Sequence, residues 1–229
     1  MPVTLPPTSA RRLVLAKWGV AAGLVMVLAW LSFTRNGWVP FLSGVDLGVH
    51  EFGHLLFLWA PFLVMSAAGS GLQVAAPAAL TGYFWWRRDR FAVVLMLGWL
   101  GMSLNNVAVY VFDATRMVLP LFGDDGSGAG HDWRNILGEL GWLQHTDALA
   151  ALVRAGSVAA FLSAIVMAAW CAWRELAPAR TDWDLPVVHA SDSGNSPTDG
   201  DWSAATMRAG GDVRGENQGH DYERDQERR

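Results

Sequence analysis

Gly48-Val49-His50-Glu51-Phe52-Gly53-His54-Leu55-Leu56-Phe57 is the stretch on which the reading of this chain turns. Its flanks are apolar, so it reads as part of a hydrophobic helix. Residues four apart on a helix lie on one face, one turn apart. His50 and His54 can therefore grip a single ion, with Glu51 beside them and within reach of a water on that ion. Two imidazoles and one carboxylate in the order His-Glu-x-x-His are what metal-assisted hydrolysis needs: the histidines hold Zn²⁺ and the glutamate takes a proton from the attacking water. Ionisable groups are costly in an apolar segment and mark function when they occur there. The competing reading is a buried polar helix that binds no metal.

Working outward, composition separates into two regimes. The chain has 229 residues, is 52% hydrophobic and carries 13 Trp. Residues 13–175 are mostly apolar and predict an all-α, polytopic integral membrane protein with about five hydrophobic helical segments and four or five crossings. Residues 1–12 form a short cytoplasmic segment, and residues 176–229 a polar tail expected to be disordered. A net charge of −4 makes no case for nucleic acid as a partner. The single cysteine, Cys171, excludes an intramolecular disulfide. Arg11, Arg12 and Lys17 before an apolar run without a good cleavage site read as an uncleaved signal anchor.

The segments follow in order. A first span covers 13–33 and breaks at Asn36-Gly37. The motif helix is expected over 44–59, interrupted by Pro61. Asp46 shares a face with His50 and His54, so it either caps this helix or accepts the second ring N–H of a ligand histidine. Residues 62–86 form another apolar stretch, in which Gln73 is expected to bond a neighbouring helix, the alternative being that it points at the metal site. The next span, 91–119, carries Asn106, Tyr110 and Asp113 at i, i+4, i+7, a polar stripe directed at a site or at another helix. After a Gly-rich acidic loop at 122–130, residues 132–144 predict a short amphipathic interfacial helix with Asp132 as its cap. His131, just before it, is either a ligand or a surface histidine beside a cap. His145 reads as structural. The last span is 148–173.

The basic residues supply a consistency test. The positive-inside rule puts Arg11, Arg12 and Lys17, then Arg87–Arg90, then Arg174 and Arg180 on the cytoplasmic side. All three agree only if residues 44–86 make one net crossing. A motif helix that enters and returns without spanning satisfies this; five full crossings violate the rule at one loop.

His50-Glu51-Phe52-Gly53-His54 in an apolar helix resembles the site-2 protease family of intramembrane zinc metalloproteases. That resemblance covers the motif helix and, more loosely, residues 44–118. It implies Glu51 as catalytic base and a third zinc ligand from a later membrane segment, for which Asp113 in Tyr110-Val-Phe-Asp113-Ala114 is the match. The chain departs from the family in having no Pro between Asn105-Asn106 and Asp113, Ala114 after it, and no PDZ-like insert.

The resulting expectation is a membrane-embedded, Zn²⁺-dependent peptidase of a bacterial-type plasma membrane, acting on membrane or juxtamembrane peptide substrates. Glu51 is the base; His50, His54 and Asp113 are the ligands, with His131 the alternative third. Asp46, Asn106 and Tyr110 are candidates for supporting the ligands or stabilising an oxyanion. The main alternative is a non-catalytic membrane metal-binding protein. A haem site is disfavoured, because ligands at i and i+4 of one helix cannot take opposite axial positions.

Overall fold

The apolar windows fold as helices. The computed structural model describes residues 7–119 and 130–177, and the order is α1 (Thr8–Thr34), α2 (Leu42–Leu56), α3 (Phe62–Trp86), α4 (Arg90–Asp113), α5 (Asp132–Glu139), a 3₁₀ turn (Leu143–His145) and α6 (Thr146–Leu176). There is no strand among the described residues. The tail expected to be disordered lies, from residue 178 onward, outside the described residues, as does the Gly-rich loop up to residue 129.

Four helices are long and apolar enough to cross a membrane: α1, α3, α4 and α6, the last with its 3₁₀ turn. The chain is a multi-pass membrane protein. α2 is not among the four. Its 15 residues extend about 22 Å, short of the roughly 30 Å hydrocarbon core. The motif helix is shorter than expected: it ends at Leu56, and the Phe57 N–H bonds back to the His54 carbonyl. Three residues then lead to Pro61, which precedes the first turn of α3. The residue before a proline is pushed out of the helical region, so the chain leaves the helix ahead of it. The amphipathic helix is also shorter than 132–144, ending at Glu139 with Gly141 in the left-handed region (φ 66°) two residues on.

α4 is the central helix. Its window is half buried, more than that of any other span. Val94 and Met102 pack with Trp18, Ala21 and Val25 of α1 and with Phe161, Ala164 and Ala168 of α6. Alanines four apart on α6 let it lie close to α4, as small residues do in membranes. There the Ser157 hydroxyl donates to the Gly101 carbonyl at 2.6 Å. Asn105 amide hydrogens bond the Ser32 carbonyl (2.9 Å) and hydroxyl (3.0 Å), tying α4 to the end of α1. Large apolar side chains such as Leu13, Leu24, Trp30, Leu162 and Val166 remain on the outside, the face a bilayer covers.

α2 packs on α3 through two glycines. A Cβ on Gly53 would collide with the Ala68 carbonyl and come within 3.0 Å of Gly69 Cα. The Gly inside the motif thus lets α2 lie backbone to backbone on α3. At the junction of α1 and α2, Asn36 (φ 50°) and Gly37 (φ 80°) are both left-handed, which turns the chain sharply. The Gly37 carbonyl then accepts from the Asn106 amide at 3.3 Å.

Candidate metal centre

His50 and His54 project from α2 toward α3, α4 and the start of α5. Each imidazole is fixed by its Nδ1. His54 Nδ1 lies 2.8 Å from the Met65 carbonyl, an oxygen that only accepts, so this nitrogen carries the proton. His50 Nδ1 lies 3.2 Å from Gln73 Oε1. The orientation of that amide follows from a relay that starts at a backbone carbonyl. Asn106 Nδ2 donates to Gly37 O, so Asn106 Oδ1 faces Gln73 and accepts from its Nε2 at 2.9 Å. Gln73 Nε2 also points to Asp46 Oδ2 at 3.4 Å. Gln73 Oε1 is left to accept from His50 Nδ1–H. Both histidines therefore turn a bare Nε2 lone pair inward.

What those lone pairs meet is a carboxylate. Asp132 Oδ2 lies 3.0 Å from His50 Nε2 and 3.2 Å from His54 Nε2. Three acceptors on one point repel one another unless a cation lies between them. A tetrahedral zinc with bonds of about 2.0–2.1 Å holds its ligand atoms about 3.3 Å apart, close to the two separations found. His50, His54 and Asp132 form the one group among the described residues that could hold a metal ion. Burial opposes a charged imidazole at His50, yet Asp132, with smaller contributions from Gln73 and Glu51, outweighs it and raises the His50 pKa. The site attracts positive charge.

Asp132 is not the third ligand expected from the sequence. Asp113 and His131 are both buried and stand behind it. Asp113 accepts from the N–H groups of Val118 (3.0 Å) and Leu119 (3.1 Å), closing the end of α4. His131 Nδ1 accepts from the Arg134 N–H at 3.3 Å and caps α5, while its Nε2 faces Asp113 Oδ2 at 3.4 Å. Burial keeps the His131 pKa below its usual value against the pull of Asp113, as a neutral accepting cap requires. The histidine, not Asp132, is thus the cap, and Asp132 becomes the first residue of α5 with its carboxylate free to face α2. The two candidates meet each other, and it is their neighbour Asp132 that faces the histidines.

Tyr110 and Trp133 fix Asp132 in place. The Tyr110 hydroxyl accepts from the Asp132 N–H at 3.0 Å and donates to Asp132 Oδ2 at 3.3 Å, and its ring stacks on His131 with centroids 4.5 Å apart. Trp133 Nε1–H donates to Ser70 Oγ at 3.0 Å, pinning α5 to α3. Asp46 does not reach His50; Gln73 lies between them. Asp46 instead accepts from Trp99 (2.6 Å) and Ser103 (2.8 Å) as well as Gln73, anchoring the relay. Gln73, expected to bond a neighbouring helix or else to point at the metal site, does both: it bonds Asn106 of α4 and orients His50. Asn106 belongs to the relay and to the wall of the cavity.

Gly69 completes the centre. A Cβ there would lie 2.6 Å from both His50 Nε2 and His54 Nε2, so only a glycine leaves room beside the ligand atoms. A cavity of about 600 Å³ opens over them, lined by Glu51, Phe62, Met65, Asn106 and Tyr110 together with His50, His54 and Asp132. Glu51 follows His50 on α2 and shares the cavity with the ligand set. Arg35 and Trp38 line the same cavity. Compared with protein-family models, with curated proteins and with solved structures, the chain matches none, and the chemistry of the site is read from its own residues.

Proposed function

We propose that this protein is a membrane-embedded zinc peptidase in which His50, His54 and Asp132 hold the metal and Glu51 is the general base. The observation that carries the reading is the convergence of two Nε2 lone pairs and one carboxylate oxygen beneath a cavity that Glu51 also lines. Bound zinc would lower the pKa of a water toward about 7 and polarise the scissile carbonyl. Glu51 takes the proton of the attacking water and returns it to the leaving amine. Tyr110, whose hydroxyl is engaged by Asp132, positions that ligand rather than stabilising an oxyanion. Asn106 remains on the cavity wall, where it can orient a substrate amide.

Borderline-soft zinc suits two imidazoles and a carboxylate with an open fourth position. The arrangement of a His-Glu-x-x-His helix with an aspartate from a distant segment supports the likeness to site-2 proteases. The aspartate is a different one from that family's pattern, supplied by the start of α5 and not by a spanning helix. Under the positive-inside rule the basic end of the bundle is cytoplasmic and four crossings satisfy every basic cluster. The metal cavity, at the opposite end, then faces outward, and its substrate is a peptide segment at or just beyond the outer membrane boundary.

Glu51→Gln tests the chemistry apart from the metal. The variant keeps its zinc, and cleavage of a membrane-anchored reporter peptide falls by at least about 10²-fold, as loss of general base catalysis requires. Zinc retained with cleavage unimpaired would instead favour a non-catalytic metal-binding protein.

A further inference from the structure

At the end of the bundle opposite the metal centre lies a second cavity, of about 420 Å³. Its wall is assembled from three places far apart in sequence: the first half of α1, the tight turn between α3 and α4, and the last turn of α6. It brings together Lys17, Arg88, Arg90 and Arg174, with Asp89 and Glu175 as the acidic members. Both acids are engaged. Glu175 pairs with Lys17 at 3.1 Å, and Asp89 accepts from the Ala92 N–H as the cap of α4. Among the described residues, Arg88, Arg90 and Arg174 have no carboxylate within salt-bridge distance.

The arginines are held by aromatic faces. The Arg90 guanidinium lies 4.2 Å from the Trp85 ring centre and that of Arg174 lies 5.0 Å from Trp170. Stacking fixes the plane of a guanidinium and leaves its in-plane N–H fork for an oxyanion. Two donors of cavity-lining residues are also orphaned: Arg90 Nη1 and the Nε1–H of Trp18, a residue only 3% exposed, are buried with no acceptor among the described residues. A buried donor without a partner is costly and rare. Arginines without a carboxylate partner, guanidiniums seated over aromatic rings and orphan donors at the boundary of spanning helices are what a phosphate site requires.

We propose that this cavity binds a phosphate-bearing anion, either the headgroup of an anionic phospholipid or a free phosphate, and that Arg88, Arg90 and Arg174 hold it. The site is independent of the metal centre and of the peptidase reading. The lipid source gains from position, because basic residues at a membrane boundary attract anionic headgroups.

Binding to the full chain in a neutral detergent is measured by calorimetry with three probes: short-chain phosphatidylglycerol, short-chain phosphatidylcholine and inorganic phosphate. Phosphatidylglycerol binding more than about tenfold tighter than phosphatidylcholine, lost in Arg88→Gln/Arg174→Gln, establishes the lipid source. Inorganic phosphate binding as tightly as phosphatidylglycerol, with the same loss, establishes a small anion. Equal binding of the two lipids without phosphate binding, or a preference that survives the double variant, overturns the proposal. Arg88→Gln alone, at an exposed turn position, is the second variant should the double one fold poorly. Helical circular dichroism and a single monodisperse elution peak report that either variant remains folded.

Discussion

Gln73 Oε1 accepts from His50 Nδ1 at 3.2 Å, and this contact sets which nitrogen of His50 is free to bind a metal. The amide cannot turn over, because its nitrogen is committed to Asn106 and Asp46. Partners of this kind typically alter metal affinity 10–100-fold when removed. Gln73→Leu is therefore expected to weaken zinc binding by about that factor, read by competition with a chromogenic chelator. Affinity within about twofold of the wild type would show that the relay does not orient His50.

Gly69 supplies a steric test. A methyl group there would stand 2.6 Å from both ligand nitrogens, well inside contact distance, and α3 backbone cannot yield without parting from Gly53. Gly69→Ala should lose zinc by more than about 10-fold while the four spanning helices persist. Spacing of ligand atoms at a metal tolerates only a few tenths of an ångström. Metal analysis alongside circular dichroism separates this outcome from unfolding.

Tyr110→Phe removes one hydroxyl and keeps the ring that stacks on His131. The Asp132 N–H and Oδ2 each lose a partner. A drop of about 10-fold in zinc affinity is expected, with cleavage restored at saturating zinc. Cleavage that stays low with zinc fully bound would mean that the hydroxyl touches substrate.

His131→Ala and Asp113→Ala probe the support behind the ligand. Loss of the His131 cap should cost about 1 kcal/mol, and Asp113→Ala leaves the N–H groups of Val118 and Leu119 without their acceptor at about 1–3 kcal/mol. Both variants should melt at lower temperature yet still take up zinc when it is supplied in excess.

The sequence exposed those parts of the site that depend on local spacing. His50, Glu51 and His54 lie within one helical turn and a half, so periodicity alone puts the two histidines on one face. Gly53 and Gly69 were visible as small residues, but their contact needs two helices already in place. The third ligand depends on how α5 docks, and that is decided by Trp133 reaching Ser70 across 63 positions of sequence. An aspartate before an amphipathic stretch reads first as a cap. Here the preceding histidine takes that role, a choice local propensity does not favour. Asp113 ends the Asn106–Tyr110–Asp113 stripe and matches the family's late aspartate in sequence; in the fold it closes α4 and faces His131. The charges left four or five crossings open; the 15-residue α2 is too short to span, which leaves four helices of spanning length and puts Lys17, Arg88, Arg90 and Arg174 around one cavity.

The central claim is that Asp132, with His50 and His54, completes the metal centre. Zinc content of the purified protein, measured by mass spectrometry for wild type, Asp132→Ala and Asp113→Ala after equilibration with limiting zinc, tests it most directly. The account predicts about one zinc per chain in the wild type, a comparable amount in Asp113→Ala and almost none in Asp132→Ala, consistent with a three-ligand site losing one ligand. Full zinc in Asp132→Ala, with its loss in Asp113→Ala, would contradict it.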